Sequence, residues 1–431
     1  MVSHRSRQLK VSSLARVEGE GALRITVHNG HVERAELNIY EPPRFFEAFL
    51  RGRAYTEPPD ITARICGICP VAYQTSACNA LEQACGVELD PPLADLRRLL
   101  YCGEWISSHA LHIYLLHAPD FLGYPDAITL ATDHRDLVER GLALKKAGNA
   151  LLELLGGRAI HPINVRVGGF YAVPTRADLQ PVAEQLRRAL DQALDTVRWV
   201  AEFEFPDLEL DHELLAVWEP DRYAIERGDL RRTTGGVLSP AEFSEHVVEQ
   251  QVPHSTALHA RLDGRRYLTG PLARYTLNSS LLSPLARQAA ADAGLGSQCR
   301  NPFRSIVVRA VEVVYAVEEA LRLIDAYEAP PRAHVPVEPR AGVGHGVSEA
   351  PRGLLYHRYD LDHDGLIRSA TIVPPTAQNQ PAIEDDLRRV AAAHLDLDDA
   401  ALTSLCERAI RNHDPCISCS AHFLELTVEH R

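Results

Sequence analysis

Two pairs of cysteines carry the most chemistry in this chain. Cys66 and Cys69 stand in Arg64-Ile65-Cys66-Gly67-Ile68-Cys69-Pro70, and Cys416 and Cys419 in Asp414-Pro415-Cys416-Ile417-Ser418-Cys419. Two thiols separated by two residues can face one metal ion, because a single turn brings both sulfurs to the same side. Four thiolates in two such pairs suffice to hold a soft transition metal. Pro70 suits the first position of a helix over residues 71–84. Cys66 and Cys69 then lie at a helix N-terminus, where the dipole favours thiolate over thiol. The same four cysteines also suit a structural zinc site, although zinc ribbons are usually local and nearly the whole chain separates these pairs. The other five of the nine cysteines, Cys78, Cys85, Cys102, Cys299 and Cys406, stand in apolar or mixed contexts and read as small buried hydrophobes. An odd count argues for reduced thiols rather than a disulfide framework.

The elements that must bring the two pairs together are partly legible. Leu23, Ile25 and Val27 alternate with polar residues, Asn29-Gly30 supplies a type I′ turn, and Ala35, Leu37 and Ile39 return. Residues 93–155 read as helical with breaks near Pro119 and Pro125, and carry His109, His112 and His117. These three histidines have no carboxylate nearby in sequence and are expected to pack, or to support ligands from behind, rather than bind metal. Val182, Leu186, Leu190, Leu194 and Val197 share one face of an amphipathic helix. Residues 202–295 are mixed and show no clear elements, and 306–327 form another long helix. Gly342, Gly344 and Gly346 read as a glycine-rich loop; no strand leads into it and no Gly-Lys-Ser/Thr follows, so a phosphate site is not expected there. A second hairpin runs over 355–361 and 366–373 around Asp364-Gly365. Helices over 382–394 and 402–412 deliver the chain to the second cysteine pair. The fold class is α+β and mostly α, with N-terminal and C-terminal β hairpins around a helical core and the two chain ends meeting at the metals.

The 431 residues can bury a large core. A formal charge of −13 argues against nucleic acid as the main partner. No apolar run approaches the roughly 20 residues of a membrane span, and residues 1–10 are basic and polar without the apolar stretch of an export signal. A cytoplasmic location is expected.

Taken together the two pairs resemble the signatures of the nickel–iron hydrogenase large (catalytic) subunit. Arg16-Val17-Glu18-Gly19 and Glu349-Ala350-Pro351-Arg352-Gly353 also fall where that family has counterparts, so the resemblance runs from residue 16 to 422. It implies the hydrogenase large-subunit fold in one domain over 1–431, and reversible oxidation of H2 to protons and electrons. It implies nickel and an iron carrying carbonyl and cyanide, with Cys66 and Cys416 as terminal nickel ligands and Cys69 and Cys419 as bridges. A magnesium ion is implied on Glu47, His422 and the backbone carbonyl of Ile372. Glu18 matches the family's proton-relay glutamate, Arg352 the arginine over the metals, and Thr376 a hydrogen-bond donor to a cyanide. One departure is Ser108, where many members have an acid.

The wording Cys-Gly-Ile-Cys-Pro-Val-Ala-Tyr resembles the cytoplasmic, bidirectional hydrogenases coupled to NAD(P), including the sulfhydrogenases. The partners this implies are an iron–sulfur small subunit, flavin-bearing diaphorase subunits that bind NAD(P), a maturation chaperone and an endopeptidase. Iron–sulfur clusters and flavin belong to those partners, since the chain has no Rossmann fingerprint and its spare cysteines lack cluster spacing. The endopeptidase would cut after His422 and remove residues 423–431. A hydrogen sensor retaining the same metals is an alternative. The related subunit of respiratory NADH–quinone oxidoreductase loses the cysteines, and all four are present here.

Overall fold

Alternation of apolar residues builds the N-terminal sheet as the sequence predicts. The strands Gly21–His28 and His31–Ile39 pair antiparallel across Asn29 and Gly30, whose φ angles of 51° and 79° are both left-handed, as a type I′ turn demands. A further strand, Ser6–Val11, pairs with the free edge of the first, so the expected hairpin is a three-stranded sheet. Leu9, Leu23, Ile25, Leu37 and Ile39 line its buried face and pack on Ile383, Leu387, Leu402 and Ile410. Those residues belong to the helices Pro375–Ala393 and Asp399–Arg411. The N-terminal sheet is thus fastened to the helices that precede the second cysteine pair. The computed structural model describes residues 6–421; His422 and the tail 423–431 lie outside the described residues.

The helical centre consists of Pro70–Cys85, Pro91–Leu111, Arg135–Gly156, Arg176–Ala201 and Ser305–Asp325. Their buried faces form one core cluster that includes all four site cysteines. In the amphipathic helix Arg176–Ala201, Val182, Leu186 and Val197 are buried, while Leu190 and Leu194 pack against the core at its margin. The helix from Pro91 passes into a π-helical turn, His112–His117, before Ala118–Leu122. Among the described residues no helix is long and apolar enough to cross a membrane.

The unreadable stretch 202–295 contains strands of two to eight residues, too short for periodicity to declare itself. Four of them form a sheet ordered Tyr267–Leu268, Glu213–Trp218, Asp229–Arg232 and Val237–Leu238, and Val247–Val252 pairs with Ser255–Leu262 beside it.

The glycine-rich segment is a strand, not a loop. Gly342–Ala350 pairs along its length with Gly353–Leu361, which pairs in turn with Ile367–Val373. The expected hairpin around Asp364-Gly365 is therefore two strands of a three-stranded sheet. The glycines serve a close approach: the helix Pro70–Cys85 lies on this strand with main chain against main chain. A Cβ on Gly344 would stand 1.8 Å from the Ala80 carbonyl oxygen, and one on Gly346 would stand 2.2 Å from that of Ser76. Neither neighbour can swing aside, since both oxygens belong to the helix backbone. Gly344→Ala is expected to destabilise the chain by about 3 kcal/mol or more, whereas Gly30→Ala, which meets nothing within 4 Å, carries only the left-handed φ cost of about 1 kcal/mol. Urea denaturation of the two variants checks this, and equal losses would refute the close-approach explanation.

Candidate metal centre

The four site thiols converge. Cys66 Sγ lies 3.4 Å from Cys416 Sγ, Cys69 Sγ lies 3.7 Å from Cys419 Sγ, and Cys416 Sγ lies 2.6 Å from Cys419 Sγ. All four sulfurs fall within 4.8 Å of one another and all four residues are buried. Cys69 is the N-cap of the helix that Pro70 opens, as the sequence predicts, and Cys416 is the N-cap of the short helix Ile417–Ser420. The amide N–H groups of Ile68 and Cys69 point at Cys66 Sγ, at 3.2 and 3.4 Å. Hydrogen bonds from its neighbours' thiols hold the Cys66 thiol well below its ordinary range, while burial pushes that of Cys416 up. Four anionic sulfurs this close together are sustained only around cations, which neutralise them outright.

The groups around the sulfurs arrive from every part of the chain. Glu18 Oε2 accepts from Cys416 Sγ at 3.1 Å and from the Ser418 N–H at 3.0 Å. The Glu18 carbonyl accepts from the Ile417 N–H, and Gly19 follows because its Cβ would lie 2.6 Å from that of Ile417. Burial and then the Cys66 charge raise the Glu18 carboxyl above its usual range, toward that of a thiol. Thr376 Oγ1 accepts from the Cys416 N–H at 3.0 Å, which leaves its own proton to donate elsewhere. Arg352, 1% exposed, donates from Nε to the Asp414 carbonyl, from Nη2 to Asp414 Oδ1 and from Nη1 to Ser108 Oγ, at 3.2, 3.1 and 3.2 Å. Asp414 Oδ2 is a buried acceptor with no protein partner.

Glu47 and Ile372 also meet: the Ile372 N–H donates to Glu47 Oε1 at 2.7 Å. The Arg44 side chain donates to the carbonyls of Ile65 (2.7 Å) and Ser418, and its N–H donates to that of Ala421, the last described residue. Burial pushes the Glu47 carboxyl up to about 7, and burial with the nearby Glu47 charge pushes Glu249 up to about 8. His422, the third residue expected here, lies outside the described residues.

The family model for nickel-dependent hydrogenases matches residues 44–140. Over 427 residues, covering 97% of this chain and 98% of the relative, the sequence is 36% identical to sulfhydrogenase 1 subunit alpha of Pyrococcus furiosus. The chain belongs to the nickel-dependent hydrogenase family. It is 28% identical to the NAD-reducing hydrogenase HoxS subunit beta of Cupriavidus necator, across 97% of this chain and 95% of that one. Among solved structures, an NAD+-reducing [NiFe]-hydrogenase in the H2-reduced state superposes with a TM-score of 0.85 at 27% identity, over 96% of this chain and 99% of that one. This hydrogenase chain is therefore a catalytic large subunit, an oxidoreductase acting on H2, with nickel and iron as its metals. The four buried, converging sulfurs fit those soft ions. The zinc-ribbon alternative falls with the family assignment.

Several groups that hold the hydrogenase site escaped sequence reasoning. Glu104 Oε2 and Oε1 accept from the N–H groups of Val71 and Ala72, capping the cysteine helix with a buried carboxyl from another helix. Arg274 makes a two-pronged pair with Glu312, and it also reaches Glu349 Oε2 and the carbonyls of Ala350 and Pro351, fixing the turn that presents Arg352. His109 Nε2 stands 3.0 Å from Glu312 Oε2, and His112 Nε2 lies 2.8 Å from the Arg411 carbonyl, so these two histidines are packed into the helical interior. His117 packs tilted against His112 and edge-on to Phe121. None of the three belongs to the thiol cluster. The spare cysteines are all buried as expected, with Cys78 and Cys406 pushed up to about 12 by desolvation.

Asp414 supplies the negative partner of Arg352, in a site where position 108 has no acid. Removing it strands a buried guanidinium, so Asp414→Ala should cost about 3–5 kcal/mol in the metal-free chain. Ser108→Ala should cost only about 1 kcal/mol, the worth of one neutral acceptor. Equal losses on urea denaturation would show that Asp414 is not the counter-charge.

Proposed function

We propose that this chain is the hydrogen-splitting subunit of a cytoplasmic, bidirectional, NAD(P)-coupled hydrogenase. It would work beside an iron–sulfur small subunit and flavin-bearing diaphorase subunits. The likeness to sulfhydrogenase and NAD-reducing subunits along nearly the whole chain supports that subgroup. The chain has no dinucleotide fingerprint of its own, so NAD(P) binds on a partner and electrons leave through the partner's iron–sulfur clusters.

Cys66 and Cys416 would hold nickel, and Cys69 and Cys419 would hold both nickel and an iron that carries carbonyl and cyanide. The Thr376 hydroxyl proton, left over from its contact with the Cys416 N–H, would be available to one cyanide. Bound nickel and iron supply the Lewis acidity and electron-accepting capacity that cleave H2 into protons and electrons. The observation that carries the role of this chain is the 3.1 Å contact between Cys416 Sγ and Glu18 Oε2. Cys416 Sγ would take up the released proton and pass it to Glu18 Oε2, whose affinity for a proton is raised first by burial. From Glu18 the next polar groups are the Ser418 N–H and, through its hydroxyl, Glu41 Oε2 at 3.1 Å. Arg352 projects a fixed positive charge over the sulfurs.

A magnesium ion on Glu47, the Ile372 carbonyl and His422 would draw the raised carboxyls of Glu47 and Glu249 back to their charged forms. The resemblance of the segment 414–422 supports cleavage after His422 by a maturation endopeptidase, following chaperone-assisted metal insertion.

Glu18→Gln should lower hydrogen turnover by at least about a hundredfold, because an amide cannot relay a proton at neutral pH. Infrared bands of iron-bound carbonyl and cyanide should persist in the same variant. Undiminished turnover would remove Glu18 from the proton path. The subgroup is tested on the co-purified complex by H2-dependent reduction of NAD and NADP assayed separately; a complex that reduces neither overturns the NAD(P) coupling and favours a sensor. Intact mass of the large subunit in that preparation should end at His422, and an active chain ending at Arg431 refutes cleavage.

A further inference from the structure

Away from the thiols, a second set of metal-binding side chains comes together. His254 stands in the turn between the strands Val247–Val252 and Ser255–Leu262, His259 lies on the second strand, and Glu384 lies on the helix Pro375–Ala393. One ligand atom from each falls within 4.8 Å of the others. We propose that His254, His259 and Glu384 form a second cation site, suited to zinc or a similar first-row divalent ion, that staples this hairpin to the helix.

Donor chemistry selects the ion. Two imidazoles and one carboxylate form a three-ligand set for zinc, with water in the fourth position. Magnesium and calcium take oxygen-rich shells and are poorly served by imidazole. Tetrahedral ligands at zinc distances stand about 3.3 Å apart, so from separations of no more than 4.8 Å the three groups need close by at most about 1.5 Å. His254, with its side chain 23% exposed on a turn, has the freedom to do so.

A plain ion pair accounts for only part of the arrangement. Glu384 Oε1 accepts from His254 Nε2 at 2.7 Å and from the Leu37 N–H at 3.0 Å, which explains those two side chains. It leaves His259, which is 4% exposed, with a buried Nε2 that has no hydrogen-bond partner. Its ring stands edge-on to that of His254 with centroids 5.5 Å apart. A cation shared with His254 and Glu384 would satisfy that nitrogen, and here, unlike at the other buried imidazoles, two further ligand atoms stand within reach. Glu36 adds a further negative charge near Glu384.

The consequence is structural and independent of the NAD(P) coupling. Between the two histidines, Thr256 Oγ1 donates to the carbonyls of Ile39 and Glu41, at 3.1 and 2.8 Å. Glu41 in turn accepts from Ser418 Oγ. The staple would steady the hairpin against the segment that reaches the metal centre, without touching the sulfurs.

The test uses the mature complex, whose four thiolates already hold nickel and iron. After dialysis against a chelator, zinc should return to one equivalent per large subunit, and the thermal midpoint should rise with it. His254→Ala and Glu384→Gln should each weaken zinc binding by at least about tenfold and abolish the rise, with nickel content unchanged. His259→Ala should do the same; if burial makes that variant fail to fold, the change at the partly exposed His254 still decides. Cobalt(II) in place of zinc should give tetrahedral visible bands with no thiolate-to-cobalt charge transfer. No stoichiometric zinc, zinc retained in the His254 variant, or a thiolate band with cobalt would each overturn the site.

Discussion

Two pairs of thiols separated by 350 positions must occupy one small volume, and the rest of the structure depends on that closure. Joining the ends of so long a loop costs about 5 kcal/mol in chain entropy alone. The chain meets this with clamps that tie both ends to the same elements. Asp120 accepts twice from Arg411, at 2.6 and 2.8 Å, and also from Arg16, while Arg411 Nη1 reaches the Ala15 carbonyl. The N-terminal arm and the helix before the second cysteine pair are thereby held by one carboxylate. Glu18 repeats the motif closer in, bonding residues 416, 417 and 418 through its side chain and carbonyl.

Most of these clamps use charges with little water around them. Arg98, Arg274, Arg352 and Arg411 are almost wholly buried, each against carboxylates and carbonyls from distant segments. Buried pairs of this kind add little net stability over apolar packing, yet breaking one is costly. They specify geometry: a guanidinium with several filled donors leaves few alternative positions for the turn that carries it. In a site whose sulfurs must be spaced for two metals, that selection matters more than the energy of any single pair.

What the sequence discloses is what can be recognised within a few residues. The Cys-x-x-Cys spacing, Pro70 after the first pair, the alternation around Asn29-Gly30 and the 3.6-residue pattern of Arg176–Ala201 all declare themselves locally. The partners of those features do not. In sequence Asp414 is only part of a motif, and its pairing with Arg352 becomes visible only when the two turns face each other. Glu104, Glu41, Ser418 and Glu249 carry no local signal, because each acts on an element that is remote in sequence. The third strand of each terminal sheet was missed for related reasons. Ser6–Val11 buries only Leu9, too little to show a period, and Gly342–Ala350 begins with alternating glycines that mean a turn when no helix is known to lie above them.

That glycine strand has a mechanical effect. Where a helix rests on a sheet through side chains, rotamer exchange makes the contact compliant. Here the carbonyls of Ser76 and Ala80 sit directly over Gly346 and Gly344, with no side chain between. The helix begins beside Cys69, and the strand ends two residues before Arg352. The helix that Cys69 caps and the strand that leads to Arg352 thus meet through two layers of main chain, with little room to give. Heating can jostle the surrounding side chains, but this contact works like a gauge block, fixing the separation of the cysteine-bearing helix from the strand that leads to Arg352.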